Sequence, residues 1–144
     1  MTKMGFKKSF KRWRRTPTKK QLAKKAFDRK LEHCDDLWRD MIKQDCDGLC
    51  PVCTERSAFE AHHLISCGHR QHHWAPWRRE NGLVVCKECH SEPAMIMDWL
   101  AINQQERHRW VQAELLKIKT GQKEYDFNLD AVEEYLNKEL GRPS

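Results

Sequence analysis

Apolar residues recur at steps of three and four between residues 18 and 44, and this period predicts one long amphipathic helix. The predicted apolar stripe consists of Leu22, Ala26, Phe27, Leu31, Cys34, Trp38, Met41 and Ile42. Thr18 follows Pro17 and can cap this helix, because a threonine hydroxyl accepts a hydrogen bond from a first-turn amide. The stripe needs a packing partner elsewhere in the chain.

From residue 46 to residue 90 the helical period disappears and short apolar segments take its place. Residues 59–65 and 83–85 are such segments, and the turn-forming pair Asn81-Gly82 precedes the second. Short apolar runs bounded by turn residues are typical of strands. We therefore predict two short strands in this part of the chain.

The helical period returns after His90. Ser91 can cap a helix that has Pro93 in its first turn, and two further helices are predicted over about 104–119 and 130–140. We expect these helices to pack with the first one against the middle segment, which is too short to build a core alone. The predicted fold class is α+β.

The positive charge of the chain is concentrated at its N-terminal end. Residues 1–30 carry a charge of +12 and residues 31–144 a charge of −6, within a net charge of +6. Phe6, Phe10 and Trp13 are interleaved with a basic series that includes Lys11, Arg12, Arg14 and Arg15. Bases release counterions from phosphates and aromatic rings stack on nucleobases, so this arm favours a nucleic-acid partner. A solvated leader without a partner is the alternative, and a transit peptide is disfavoured because serine is scarce.

The sequence predicts no membrane partner. Its 144 residues contain no run approaching the roughly 18 apolar residues of a membrane span. The N-terminus is not followed by the apolar region of a signal peptide. We therefore expect a cytoplasmic location.

Four of the seven cysteines form two pairs with metal-ligand spacing, Cys50-x2-Cys53 and Cys86-x2-Cys89. Each pair holds two thiolates about one knuckle turn apart, as tetrahedral zinc requires. Disulfides are the alternative, and they are disfavoured because the sequence has no export signal. Cys34 and Cys46 are interpreted as small core residues.

A histidine doublet lies between the cysteine pairs, and a further histidine follows the second pair. The order is Cys50-x2-Cys53, Glu60-Ala-His62-His63-Leu-Ile, Asn81-Gly-Leu-Val-Val and Cys86-x2-Cys89-His90. This ordered set resembles the HNH endonuclease family in its zinc-bearing form. The resemblance implies a small ββα-metal core with a treble-clef-like zinc knuckle: a strand with the histidine pair, a loop, a second strand and a helix at the last cysteine pair.

On this interpretation the chain has four parts. Residues 1–17 form a basic arm that we expect to be flexible, and residues 18–45 form the N-terminal helix. Residues 46–92 form the finger with its structural zinc, and residues 93–144 form helices that pack on the core.

The resemblance also implies a role for each residue of the motif. The four cysteines hold a structural Zn2+, His63 is the general base, and Asn81 ties the loop to the histidine strand. His62 and His90 bind one catalytic divalent ion, Mg2+ or Mn2+, although two imidazoles also accept Ni2+, Co2+ or Zn2+. The implied reaction is hydrolysis of a DNA phosphodiester to a 5′-phosphate and a 3′-hydroxyl.

The residues leave some details of this site open. Adjacent side chains of a regular strand point to opposite faces, so His62 and His63 meet in one site only through a bulge, or else divide the work between them. Glu60 is a further ligand, an orienting partner or a surface carboxylate. Many family members have a histidine where this chain has Ala94. This suggests a site with two protein ligands, as in phage enzymes that resolve branched DNA.

The loop of residues 66–79 contains more arginine, histidine and tryptophan than a connection requires. The predicted phosphate contacts are Arg70, Arg78 and Arg79. The tryptophans predicted to pack the loop, rather than wedge into a nucleic-acid groove, are Trp74 and Trp77. The residues that form either a second metal site or a polar surface are Cys67, His69, His72 and His73.

The function expected from the resemblance is that of a small HNH DNA endonuclease that nicks or cuts duplex or branched DNA. We expect it to be encoded by a bacteriophage or mobile element and to work in the bacterial cytoplasm, with a homodimer as one arrangement for double-strand cleavage. One alternative is a non-catalytic zinc-knuckle protein that binds nucleic acid, which has no need for the histidines and Asn81 together. Another is an interaction module that docks a partner through the tail helices.

Overall fold

The computed structural model describes residues 15–124 and 126–142, and the long helix predicted near the start of the chain lies within them. This helix, α1, spans Lys19–Gln44. Thr18 is its N-cap: its hydroxyl accepts from the backbone N–H of Gln21, whose side chain in turn accepts from the backbone N–H of Thr18. The reciprocal pair satisfies two amides that a helix end otherwise leaves without partners.

The remaining elements form an α+β arrangement of helices around a two-stranded sheet. Strand β1 spans Glu60–His63 and strand β2 spans Gly82–Val85. The later helices are α2 (Lys87–His90), α3 (Pro93–Asn103), α4 (Gln105–Lys119) and α5 (Leu129–Glu139). The two predicted strands and the three tail helices are thus present, with bounds close to those expected from the sequence.

The two strands are antiparallel and pair in a regular register. Glu60 lies opposite Val85, and His63 lies opposite Gly82. Because opposite residues share a face and successive residues alternate, each face of the sheet carries a different set of side chains. The connection between the strands contains three short 3-10 turns, at Cys67–His69, Ala75–Trp77 and Arg79–Asn81.

Each face of the sheet contributes to a separate hydrophobic core. On one face, the α1–α5 core consists of Leu31, Cys34, Leu37, Trp38, Met41, Ile42, Trp77, Val84, Leu129, Val132 and Leu136. On the other face, the cysteine core consists of Cys50, Leu64, Ile65, Ala75, Leu83, Val85, Cys86, Cys89, Ile96, Leu100 and Val111. The tail helices therefore divide: α5 packs on α1, while α3 and α4 cover the cysteine side.

The predicted apolar stripe of α1 is buried only in its second half. Leu31, Cys34 and Trp38 lie in the α1–α5 core, whereas Leu22 is 52% exposed and Phe27 41% exposed. The prediction that the whole stripe packs is wrong at its N-terminal end. A helix of 26 residues is about 39 Å long, and the 11-residue α5 that covers it is only about 17 Å long.

The chain between the second cysteine pair and α3 also differs from the prediction. The Ser91 hydroxyl donates to the carbonyl of Glu88, and Glu92 occupies the N-cap position of α3. Ser91 therefore ends α2. The prediction that Ser91 caps the following helix is wrong. Pro93 begins α3, where its missing N–H costs nothing.

None of the helices in the described part of the chain is both long enough and apolar enough to cross a membrane.

Candidate metal centre and the adjoining histidines

The four paired cysteines converge in one cluster. The sulfur atoms of Cys50, Cys53, Cys86 and Cys89 all lie within 4.8 Å of one another, and the Cys53 and Cys86 sulfurs are 3.8 Å apart. Thiolates at about 2.3 Å from a tetrahedral zinc lie about 3.8 Å from one another, so this cluster fits such an ion. The cysteines can therefore hold a metal such as zinc, and a disulfide pairing is not required to explain them.

Backbone geometry sets the position of each cysteine pair. The N–H of Thr54 donates to the carbonyl of Cys50. Thr54 adopts a positive φ of 58°, and the turn brings the carbonyl of Arg56 back to accept from the N–H of Cys50. The second pair sits at a helix start, where the Cys86 sulfur accepts from the backbone N–H of Cys89. Each pair is thus closed by a local hydrogen bond.

The surroundings of the cysteines favour a bound cation. Backbone N–H groups of Glu55 and Arg56 donate toward Cys53 and lower its thiol pKa to about 6, whereas burial raises the pKa of Cys89 to about 12. The Arg56 guanidinium also lies 4.0 Å from the Cys86 sulfur. A buried group of four thiolates is costly without further positive charge, and a divalent metal offsets that cost.

Glu60, His62 and His90 lie together beside this cluster. Glu60 and His62 share the sheet face that contributes to the cysteine core, and His90 is the last residue of α2. The Glu60 carboxylate is 2.5 Å from Nδ1 of His90, and the His62 and His90 rings meet edge to face at 5.3 Å. Glu60 is therefore in contact with a histidine of the motif and is not an isolated surface carboxylate.

The His62 imidazole is neutral at neutral pH. Burial, with a smaller contribution from the nearby His90, lowers its pKa to about 4. A metal-binding imidazole must be unprotonated, so this environment suits a ligand.

His63 lies on the opposite sheet face from His62. Its ring stacks on Trp38 of α1, with centroids 3.8 Å apart and planes 9° from parallel. The regular register of β1 and β2 contains no bulge that brings both rings to one face. Burial first, then the charges of His62, Arg70 and Arg39, lower the His63 pKa to about 4.

Asn81 ties the loop to the end of the histidine strand. Its side chain accepts from the N–H of Ile65 at 2.5 Å and donates to the carbonyls of Ile65 and Pro76. The residue is fully buried, so these hydrogen bonds replace water that it cannot reach. The contacts lie two residues beyond His63 and do not involve the His63 ring.

The predicted phosphate-binding arginines have different surroundings. Arg79 is engaged by Asp45 and Glu139, and Arg70 lies 3.2 Å from the Asp35 carboxylate. Arg78 is exposed above the rings of Trp74 and Tyr135. The ion pairs of Arg79 and Arg70 give these side chains an internal role, and Arg78 is the loop arginine that is best placed to meet an outside partner.

The basic arm is described only from Arg15 onward, and Arg15 is exposed. The other predicted nucleic-acid contacts of the arm lie outside the described residues; they are Lys11, Arg12 and Arg14.

Other loop residues act in packing. Trp77 is buried and donates to the carbonyl of Arg70, and Trp74 packs edge to face on Phe127, as the packing interpretation predicted. Within residues 15–124 and 126–142, the cysteine tetrad is the only group of three or more His, Cys, Asp or Glu side chains placed closely enough to share a metal ion. The alternative of a second metal site in the loop therefore finds no support there.

Arg107 of α4 is a half-buried residue that the sequence interpretation missed. Its guanidinium donates to the backbone carbonyls of Glu80 and Gly82, at the start of β2. The signal was present in the sequence, because Arg107 precedes the buried Val111 by four residues and so faces inward on α4. The contact fixes the position of Asn81 and Gly82 relative to the cysteine side.

Comparison of the chain with protein-family models, with curated proteins and with solved structures found no match in any of the three. Function must therefore be argued from the geometry of the site.

Proposed function

We propose that this protein is an HNH-type, metal-dependent DNA endonuclease whose ββα-metal core consists of β1, β2 and α2. The observation that carries the proposal is the group of Glu60, His62 and His90 beside the four cysteines. A carboxylate that holds Nδ1 of a histidine orients the ring and leaves Nε2 to bind a metal. A purely structural zinc knuckle has no need for this second group.

Each residue then has a distinct task. The cysteines hold a structural zinc, and His62 with His90 hold one divalent ion, Mg2+ or Mn2+. When bound, that ion supplies Lewis acidity that stabilises charge on the departing 3′-oxygen. Glu60 orients His90, and Asn81 holds the end of the histidine strand in place.

We assign the general-base role to His63, which is neutral and half-buried. It takes a proton from the attacking water, and the products are a 5′-phosphate and a 3′-hydroxyl. His62 and His63 are adjacent at the end of β1. Both roles therefore require that the substrate phosphate lies at this end of the sheet.

The second candidate is a non-catalytic zinc-knuckle protein that binds nucleic acid. The stacking of His63 on Trp38, away from His62, favours this candidate, because the same contact also suits a structural ring in a core. It predicts DNA binding that does not depend on His90.

Conversion of supercoiled plasmid to nicked and linear forms, with Mg2+ or Mn2+, tests the proposal. We expect His90→Ala and His63→Ala each to lower the rate by about 100-fold or more, because each removes a metal ligand or a general base. Glu60→Gln should raise the metal concentration needed for half-maximal cleavage by about 10- to 100-fold. His33→Ala, an exposed histidine on α1, is the matched control and should cut like the wild type.

The zinc content of every variant must equal that of the wild type for this comparison to hold. Equal cleavage by His90→Ala and the wild type would contradict the metal site and indicate a contaminating nuclease. Cleavage by His63→Ala but not by His90→Ala would support the metal site and assign the general-base role to another group.

A further inference from the structure

The first three turns of α1 are exposed along their whole length. Every residue from 15 to 29 is exposed, and burial begins at Lys30 and Leu31. The segment contains six basic residues and one acid, Asp28; the bases are Arg15, Lys19, Lys20, Lys24, Lys25 and Arg29. Within the described part of the chain no carboxylate forms an ion pair with any of them, whereas the next base, Lys30, pairs with Asp130 and Glu133.

The charge pattern of this segment opposes its own helix. Its first turn has no acid and two lysines, although a helix N-terminus favours negative charge. Lys20 and Lys24, and again Lys25 and Arg29, are like charges at a spacing of four, which destabilises a helix. Little tertiary packing offsets these costs, because the segment lies outside both cores. A polyanion that neutralises the bases would offset them.

Four of the six bases are arranged as two stripes. At about 100° per residue, Lys20 and Lys24 form one stripe, and Lys25 and Arg29 form a second about 140° around the helix. A helix resting on a flat anionic surface needs one stripe. Two stripes on opposite flanks match the major groove of duplex DNA, which is about 12 Å wide, admits an α-helix and has phosphates along both edges.

We propose that residues 15–29 enter the major groove of duplex DNA and hold it by phosphate contacts from both stripes. The biological purpose of this contact rests on the proposed nuclease function. The binding experiment that tests the contact does not require cleavage. Gln21 and Asp28 lie between the stripes. The four bases lie 9 to 18 residues before Trp38, on which His63 stacks, so the contacts lie about 14–27 Å along α1 from His63.

The test measures binding of a labelled 30-base-pair duplex over a range of salt concentrations, without added divalent ion. The slope of log affinity against log salt changes by about 0.9 for each phosphate contact, so each double variant should reduce it by about 2. The two variants are Lys20→Gln with Lys24→Gln, and Lys25→Gln with Arg29→Gln. The matched control is Lys119→Gln with Lys123→Gln, two exposed lysines outside α1, and should leave the slope unchanged.

Far-UV circular dichroism of the variants should show the wild-type helix content, because the substitutions remove like-charge repulsion. A loss of slope in only one double variant overturns groove insertion. Unchanged DNA binding together with a changed mass in solution also overturns it, and makes the segment an interface between copies of the chain.

This result separates the two proposals. If the wild type binds duplex with the expected dependence on both stripes but no metal supports cleavage, the result supports the inference and contradicts the nuclease proposal. A wild type that cuts DNA while both double variants bind as well as it does contradicts the inference alone.

Discussion

At the residue scale, the histidine doublet shows how one peptide bond separates two environments. Strand geometry sends His62 toward His90 and the cysteine core, and it sends His63 onto the ring of Trp38. Both rings have a lowered pKa, because both are withdrawn from water and lie near other positive groups. The two neighbours therefore share a charge state but face different elements, and a substitution of one need not mimic the other.

The lowered pKa of His63 predicts a loss of stability in acid. Its folded value of about 4 lies below the unfolded value near 6.5, so the stabilisation is present above pH 6.5 and is lost as the pH falls toward 4. Between pH 7 and pH 5 the wild type should lose about 1–2 kcal/mol more free energy of unfolding than His63→Gln. Urea denaturation at the two pH values measures this difference.

His33→Gln is the control for this prediction, because His33 is exposed. It should lose as much stability as the wild type between the two pH values. An equal loss in all three proteins would show that His63 titrates normally in the folded state.

At the element scale, the contact between β2 and α1 depends on one missing side chain. A Cβ at Gly82 would lie 2.3 Å from the Cδ1 atom of Ile42 and 2.8 Å from Cζ2 of Trp38. Real atoms do not approach so closely, and Trp38 is fixed by its stack with His63. Gly82 therefore sets how closely the sheet approaches the long helix, and its φ of −107° shows that space, not backbone conformation, requires glycine.

Gly82→Ala should destabilise the protein by about 1–3 kcal/mol, because the added methyl group overpacks the contact with α1. Thermal or urea unfolding measures the loss. Gly68→Ala is the matched control: its added Cβ meets only the Ser66 hydroxyl, at 3.5 Å, and the change should stay within about 0.5 kcal/mol.

A double-mutant cycle identifies the cause of the Gly82 effect. Ile42→Ala makes room for the new methyl group, so Gly82→Ala should cost less in that background, with a coupling of about 1 kcal/mol. Strict additivity of the two changes would show that the clash with Ile42 is not the source of the destabilisation.

At the scale of the whole molecule, two cores meet at a sheet of only two strands. One core holds α5 on α1 through apolar side chains, and the other holds α3 and α4 around the cysteine tetrad. The buried residues of the cysteine core include five Leu or Ile side chains and no aromatic ring. A small core of this kind needs a further source of stability, and a structural metal can contribute about 10 kcal/mol or more of apparent folding energy.

We therefore expect one zinc per chain by elemental analysis, held by the four cysteines. Cys53→Ser should lose the zinc and lower the melting temperature by 10 °C or more, on the order expected for removal of a structural metal. Hydrogen exchange should rise first in α3 and α4, which share a core with the tetrad. Cys67→Ser, at an exposed cysteine outside the tetrad, should keep both the zinc and the wild-type melting temperature.

The features that could be predicted from the sequence are those that depend on residues close together in the chain. Thr18 as a helix cap, the two strands and the Cys-x2-Cys pairs are local patterns, and the structure contains them where the sequence indicated. The extent of burial along α1 was overestimated, because Leu22 and Phe27 have the right spacing but lie outside the α1–α5 core and stay 52% and 41% exposed. The period of α4 indicates that Arg107 faces inward, but its partners are carbonyls 25 and 27 residues away, and only the fold brings them together.

By itself, the sequence determined the elements, the cysteines that can hold a metal and the concentration of positive charge at one end, because each depends on residue type and short spacing. Only the tertiary structure decided that Glu60 contacts His90, that His63 stacks on Trp38 and that the basic half of α1 extends into solvent. These features depend on which faces and which lengths of chain meet in the folded protein. The period of apolar residues in α1 carries no information about the length of α5, the helix that packs on it. Because α5 is shorter, it covers only the second half of α1.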